Sequence, residues 1–113
     1  MRVELRTEAV SDLIEAAWFY ERQRGGLGDE FIDAIFAHLA HLETFAGGHE
    51  VVFELHRMLA KKFPYGLYYK VDAELVDVVA ILDCRRNPSR VFRMLGDRTD
   101  RDLRSGPAEG SSD

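Results

Sequence analysis

The ten residues 75–84, LVDVVAILDC, carry only two charged side chains, Asp77 and Asp83. A short apolar run of this length, rich in β-branched residues, is typical of a strand that is buried on both faces. The rest of the chain must therefore supply structure to cover the strand on either side. This segment predicts a central strand of a sheet and restricts the fold more than any other feature of the sequence.

Two helices are predicted before this strand. Residues 2–5 alternate in polarity as a short strand does, and Thr7 follows in a position to cap a helix. Arg24-Gly25-Gly26 ends that helix, and a second helix runs from about Asp29 to Gly47-Gly48. A link this short predicts an antiparallel helical hairpin. The apolar stripes, which we expect to face the core, are Val10, Leu13, Ile14, Ala17 and Trp18 in the first helix and Phe31, Ile32, Ile35, Phe36, Leu39 and Leu42 in the second.

From Val51 onward the apolar residues recur at every second position, as in strands. Residues 56–63 and 65–71 are predicted to flank a turn at Pro64, and Asp72-Ala73-Glu74 is predicted to form the next turn. Residues 88–95 fit either a short helix or a strand. The predicted fold is an α+β domain over residues 1–96, in which the hairpin covers a mainly antiparallel sheet. Residues 97–113 are predicted to be a polar, flexible tail.

Composition limits the class of protein. The chain has 113 residues, enough for one domain, and its single cysteine, Cys84, cannot form an internal disulfide. No apolar run is long enough to cross a bilayer, so we expect a cytoplasmic protein without a membrane partner. Residues 1–50 contain four Lys and Arg against ten Asp and Glu, whereas residues 51–104 contain eleven against eight. This polarity predicts a charged partner on one face, although two solvated faces would give the same pattern.

The basic residues after the central strand are the strongest candidates for a binding role. They are Arg85, Arg86, Arg90 and Arg93, which could instead be neutralised by Asp83 or Asp97. Arg57, Lys61 and Lys62 are weaker candidates, because charges at a sheet edge also serve to prevent aggregation. His38 and His41 are three residues apart on a helix but lack an evident third ligand, so no metal and no cofactor is predicted.

Four segments in the same order resemble the RelE/ParE superfamily of bacterial toxins. They are EAVSDLIEAAWFYE in the first helix, GGLGDEFIDAI in the second, HRMLAKKFPYGLYYKV in the hairpin of strands and VVAILDCRRNPSRVF at the last strand. Together they cover about residues 2–95. The resemblance implies a single-domain toxin of a type II toxin–antitoxin module, of the kind associated with plasmid stabilisation, that a small antitoxin wraps and neutralises.

The superfamily has two functional branches, and two positions favour one of them. RelE-like members cleave mRNA in the ribosome with a set of cations and, in some, a tyrosine. Gly66 falls where that branch has an arginine, and Phe92 falls where some members have the tyrosine. The resemblance therefore favours the ParE-like branch, which inhibits DNA gyrase by binding and performs no catalysis.

The ParE-like interpretation implies two sets of contact residues. The target-binding residues would be the basic candidates above, and contact with a ParD-like antitoxin would use the aromatic residues Trp18, Phe31, Tyr65, Tyr68 and Tyr69. DNA would be reached only indirectly, through the antitoxin. The alternatives are a RelE-like endonuclease that uses no metal, and a non-toxic member that only binds an antitoxin.

Overall fold

The computed structural model describes the backbone of residues 1–105 and the side chains of residues 1–99. The elements follow in the order β1 (Arg2–Leu5), α1 (Thr7–Gln23), α2 (Leu27–Phe45), β2 (Val51–Val52), β3 (Leu55–Leu59), β4 (Tyr65–Asp72), β5 (Leu75–Asp83) and α3 (Pro88–Ser105). The five strands form one sheet in the order β1-β5-β4-β3-β2. All neighbouring strands are antiparallel except β1 and β5, which are parallel. The α+β class and the hairpin-on-sheet arrangement predicted from the sequence are confirmed.

The α1–α2 hairpin packs on one face of the sheet and forms the larger core. Tyr20, Phe31, Phe63 and Tyr65 form a cluster of rings whose centroids lie 4.8–6.0 Å apart. The helices approach closely at Gly28, where an added Cβ would lie 2.7 Å from the carbonyl oxygen of Ala17. The Glu21 carboxylate accepts hydrogen bonds from the N–H groups of Gly26 and Gly28, which stabilises the otherwise unpaired amides at the start of α2.

Strand β5 is covered on both faces, as its apolar sequence predicted. Val76 and Val78 belong to the core under the hairpin, whereas Ala80 and Leu82 belong to a second core under α3. The pairing with β4 is irregular at Val79, because Tyr68 pairs with Ala80 and Tyr69 pairs with Val78. This β-bulge shifts the alternation by one residue, so Ile81 returns to the hairpin face.

Two side chains from different helices hold the backbone of β5 at this bulge. The Asp12 carboxylate of α1 accepts a hydrogen bond of 3.0 Å from the Ile81 N–H, and the Arg98 guanidinium of α3 donates one of 2.9 Å to the Val79 carbonyl. Arg98 also donates two hydrogen bonds, of 2.8 and 3.0 Å, to the Asp12 carboxylate. Both side chains are about nine-tenths buried, so this ion pair connects α1, β5 and α3 through the interior.

Several boundaries differ from the sequence prediction. Thr7 is the first residue of α1 rather than its cap, and no side chain caps that end. Helix α2 begins at Leu27, and β3 covers Leu55–Leu59 instead of residues 56–63. Residues 88–95 are helical, and α3 continues to Ser105, so the predicted flexible tail is helical over residues 97–105. The Arg98 ion pair, which sequence periodicity cannot reveal, explains the extension. Residues 106–113 lie outside the described part of the chain.

Two aromatic residues assigned to the core are exposed instead. Trp18 is 60% exposed and Phe36 is 53% exposed. The buried residues of α2 (Phe31, Ile35, Leu39 and Leu42) occupy a narrow arc, and Phe36 lies about 60° outside it when each residue advances by about 100°. The apolar stripes predicted from the sequence were thus wider than the helix faces that the sheet covers.

Within residues 1–105, no helix is long and apolar enough to span a membrane.

Candidate target- and partner-binding surfaces

The basic surface begins where β5 ends, and its first arginine is held by an ion pair. The Asp83 carboxylate accepts hydrogen bonds from the Arg85 N–H at 2.8 Å and from the Arg85 guanidinium at 3.2 and 3.0 Å. Burial acts to raise the pKa of Asp83, but the hydrogen bonds from Arg85 outweigh it, and the pKa lies below its usual 3.8. Arg85 therefore stabilises the turn into α3, as the alternative interpretation of this cluster anticipated.

The other three arginines of this surface are not held in this way by the side chains that the structure describes. Among the side chains of residues 1–99, none forms an ion pair with Arg86, Arg90 or Arg93. Arg90 and Arg93 are exposed on α3, and Arg86 is half-buried in the turn that precedes it. Guanidinium groups at the surface can donate paired hydrogen bonds to a partner that carries carboxylates or phosphates.

Arg86 also lines a groove of about 380 Å³ between α1, the end of β5 and α3. Glu15 and Arg22 of α1, Tyr65 of β4 and Met94 of α3 contribute further walls. Both signs of charge and several apolar side chains, among them Phe19, Ile81 and Leu82, face the same space. Such a lining suits a segment of a protein partner better than a uniformly anionic backbone.

The remaining basic candidates do not gather with the arginines of α3. Arg57 lies opposite Tyr68 on the α3 side of the sheet, where its guanidinium donates a hydrogen bond of 2.6 Å to Glu50. Lys61 and Lys62 are exposed in the β3–β4 turn. The Lys61 N–H donates a hydrogen bond of 3.4 Å to His38 of α2, which places this turn on the hairpin side. The predicted target-binding residues thus occupy two regions of the surface.

The positions that distinguish a nuclease carry no proton-transfer group suited to RNA cleavage. At Gly66 an added Cβ would lie 3.0 Å from the Cys84 sulfur and 3.2 Å from Cγ of Arg57, so neighbouring atoms already fill the space. Burial, followed by the electrostatic effects of Tyr20 and then of Asp83, raises the pKa of Tyr65 to about 12. Burial also raises the pKa of Tyr68. Phenol groups with such pKa values are poor general acids and bases at neutral pH.

Four of the five residues predicted to contact an antitoxin are buried. Phe31 and Tyr69 are 0% exposed, Tyr68 is 2% exposed and Tyr65 is 7% exposed. Phe31, Tyr65 and Tyr69 belong to the core under the hairpin, whereas Tyr68 packs under α3. In this structure these four side chains have almost no surface to offer a partner, and Trp18 alone of the five is exposed.

Trp18 is part of an exposed apolar patch that the sequence analysis did not separate from the core. Val10, Ile14 and Trp18 recur at every fourth position on the outer side of α1, and Ile14 is 52% exposed. On α2, Ile32 lines a shallow cavity of about 410 Å³ together with Ile14 and Trp18, and the exposed Phe36 follows Ile32 one turn later. We call these five residues the hairpin patch. Glu21 and Asp29 line the same cavity. The i, i+4, i+8 repeat was the signal that could have identified this second stripe.

Comparison with known proteins gives a family match and a match of fold. Residues 3–88 match the family model described as the ParE toxin of the type II toxin–antitoxin system parDE. In the comparison with curated proteins, no sequence matches this chain. A solved structure described as the chromosomal ParDE TA system from P. aeruginosa aligns with a TM-score of 0.66 and 16% identity, over 72% of this chain and 92% of that chain. At that identity the structural match supports the fold alone.

Proposed function

Since this chain belongs to the ParE toxin family of type II toxin–antitoxin systems, we propose that it inhibits DNA gyrase by binding and that a ParD-like antitoxin neutralises it. The action would be non-catalytic and would take place in the cytoplasm, and DNA would be reached only through the antitoxin. The target would dock on the basic surface formed by Arg86, Arg90 and Arg93, with Arg85 holding the turn beneath it.

The main observation against RNA cleavage is the crowded space around Gly66, the position at which RelE-like members have an arginine. Cleavage through a 2′-hydroxyl needs a base, an acid and cations around the phosphorane. The space at Gly66 is filled by Cys84 and Arg57, and the nearby phenols of Tyr65 and Tyr68 hold their protons well above neutral pH. Arginines keep their protons at neutral pH, so the basic surface supports a role in binding rather than in proton transfer.

The hairpin patch supports a separate site for the antitoxin. Trp18, Ile14 and Phe36 offer exposed apolar area next to Glu21 and Asp29. An amphipathic helix with an apolar stripe and basic flanks would complement both properties. Antitoxin and target would then occupy different faces, and neutralisation would require the antitoxin chain to reach from one face to the other.

The deciding experiment uses the purified full chain in a gyrase supercoiling assay together with primer extension on translated mRNA. We expect inhibition of supercoiling, accumulation of gyrase-cleaved DNA and intact mRNA. Arg90→Glu with Arg93→Glu should abolish inhibition without changing the melting temperature, because both side chains are exposed and charge reversal at a docking surface disrupts encounter and complementarity. Arg85 and Arg86 are left unchanged in this test, since a glutamate at either position would lie near the Asp83 carboxylate.

The matched control is Lys61→Glu with Lys62→Glu, which makes the same change of net charge on the hairpin side. It should retain inhibition, because this turn packs beside α2, whereas Arg90 and Arg93 lie on α3 at the other face of the sheet. Codon-phased mRNA cuts with unaffected supercoiling would replace the proposal with the RelE-like mechanism. A chain that binds the antitoxin but affects neither gyrase nor mRNA would be a non-toxic family member.

A further inference from the structure

The β2–β3 turn holds two bulky residues in a backbone conformation that such residues rarely adopt. Phe53 has a φ of 54° and Glu54 a φ of 68°, and the two form the whole connection between the paired residues Val52 and Leu55. Two-residue hairpin turns with positive φ at both positions strongly favour Asn, Asp and Gly. A bulky aromatic residue at such a position is a source of strain, and strain of this kind tends to persist at functional sites.

The strained residue presents an aromatic ring to the solvent-facing side of α3. The rings of Phe53 and Phe92 lie 5.0 Å apart between centroids with an interplanar angle of 58°. Phe53 is 38% exposed and Phe92 is 57% exposed, so the contact leaves much of both rings in water. A turn residue selected only for stability would be neither strained nor aromatic at this point.

We propose that Phe53 and Phe92 form the apolar anchor with which this toxin docks on its protein target, with Arg93 at its margin. The proposal rests on the proposed function, since the partner is the target of the basic surface. Arg93 follows Phe92 on α3 and has no ion-pair partner among residues 1–99. The partner that fits is a protein surface with an apolar pocket and carboxylates beside it, because aromatic and arginine side chains dominate the binding energy of such interfaces.

The geometry favours a protein pocket over stacked nucleic-acid bases. The two rings tilt against each other and together form one wedge, whereas base stacking needs separate, open ring faces. Charge agrees with this choice, since the exposed Glu54 in the turn places a carboxylate beside the rings, where it would repel a phosphate backbone. A protein partner can complement both Arg93 and Glu54 with a carboxylate and a basic group at different edges of its pocket.

Phe53→Gly separates binding from stability. Glycine adopts positive φ without strain, so this variant should keep or raise the melting temperature while its affinity for purified gyrase falls by about tenfold or more. Phe92→Ala removes an exposed ring and should reduce affinity by a similar factor with little change in melting. The matched control is Ala73→Gly, which relieves a φ of 56° in the β4–β5 turn and should leave affinity unchanged.

Binding to immobilised gyrase holoenzyme and growth arrest on expression of the full chain are measured for all variants. Loss of both with Phe53→Gly and Phe92→Ala supports the anchor. Growth arrest by the unmodified chain without gyrase binding would overturn gyrase as the target. In that case, loss of growth arrest in the two variants would support the anchor for another protein target, and unchanged arrest would overturn it. Unchanged affinity and arrest in both variants would overturn the anchor while leaving the proposed function intact. An unmodified chain that neither binds gyrase nor arrests growth would overturn both the anchor and the proposed function. Binding to single-stranded RNA is measured in parallel. If the two variants lost only RNA binding, the anchor would be overturned.

Discussion

Two of the four histidines lie in surroundings that favour the neutral imidazole. Nε2 of His38 accepts a hydrogen bond of 3.4 Å from the Lys61 N–H and carries no proton while it does so. The Tyr69 hydroxyl accepts a hydrogen bond of 2.9 Å from the Gly47 N–H and lies 2.6 Å from Nδ1 of His49, which accepts the phenol proton in the tautomer protonated at Nε2. Burial lowers the pKa of both imidazoles, which favours the neutral form in the folded state.

The stability of the protein should fall as the pH drops below about 6.5, the ordinary pKa of histidine. Burial lowers the pKa of His38, with Lys61 adding to the effect, and burial followed by the charge of His41 lowers the pKa of His49. Because both pKa values are lower in the folded chain, the unfolded chain takes up protons first. The stabilisation is complete above the unfolded pKa and is lost as the pH falls toward the folded pKa. Urea unfolding at pH 7.5 and 5.5 measures the difference.

His38→Gln with His49→Gln is the variant that tests this cause, since the glutamine oxygen accepts a hydrogen bond without titrating. Its stability should change less between the two pH values than that of the unmodified chain. His56→Gln is the control, because Nδ1 of His56 faces the carbonyl of His49 and already serves as the donor. An unaltered pH dependence in the double variant would contradict the assignment of the two acceptors.

At the scale of elements, the ion pair between Asp12 and Arg98 fixes the position of α3. Arg98→Met should reduce the free energy of unfolding by about 3–5 kcal/mol, because it leaves the Asp12 carboxylate buried without its cation. The Val79 carbonyl would lose its donor as well. Chemical denaturation monitored by circular dichroism measures the loss.

Two further variants test whether the loss is due to the buried charge. Adding Asp12→Leu to Arg98→Met removes that charge and should recover much of the stability. Arg24→Ala breaks a pair with Glu30 whose side chains are 59% and 45% exposed, and it should cost less than about 1 kcal/mol. A loss below about 1 kcal/mol in Arg98→Met would show that α3 is held mainly by Val91 and Leu95.

The elements could be predicted from the sequence wherever one periodicity dominates. The continuous apolar run of β5 indicated burial on both faces, and the pair Gly25-Gly26 marked the end of α1 correctly. The bulge at Val79 and the extension of α3 could not be predicted, because both depend on Asp12 and Arg98, 86 residues apart in the chain. Long-range polar contacts of this kind leave no periodic pattern.

The candidate surfaces were less predictable than the fold, since residue type does not determine exposure. Trp18 and Phe31 have the same aromatic character, yet one is 60% exposed and the other is fully buried. The arginines after β5 could be located from the sequence, but the ion pair that occupies Arg85 could not. The strain at Phe53 is visible only in the backbone angles, and no local sequence pattern indicated a positive φ there.

At the scale of the whole molecule, two exposed apolar surfaces with different charged margins lie on different sides of the sheet. The hairpin patch is bordered by Glu21 and Asp29, and the pair of Phe53 and Phe92 adjoins Arg93. This arrangement matches the distribution of charge along the chain, which is acidic over residues 1–50 and basic over residues 51–104. We expect the two surfaces to select partners of opposite charge and to be separable by mutation.

Trp18→Ser with Phe36→Ser should weaken antitoxin binding and leave gyrase inhibition intact. Both side chains are mostly exposed, so the free energy of unfolding should change by less than about 1 kcal/mol. Loss of two aromatic anchors should nevertheless raise the dissociation constant for a ParD-like antitoxin by about tenfold or more. Isothermal titration with the purified antitoxin and the supercoiling assay provide the two measurements.

Phe31→Ala is the contrasting variant, since removal of a fully buried ring should reduce the free energy of unfolding by about 3–5 kcal/mol and abolish both activities through unfolding. If Trp18→Ser with Phe36→Ser retained full antitoxin affinity, the antitoxin would have to bind elsewhere, and the acidic margin of the hairpin would serve only for solubility.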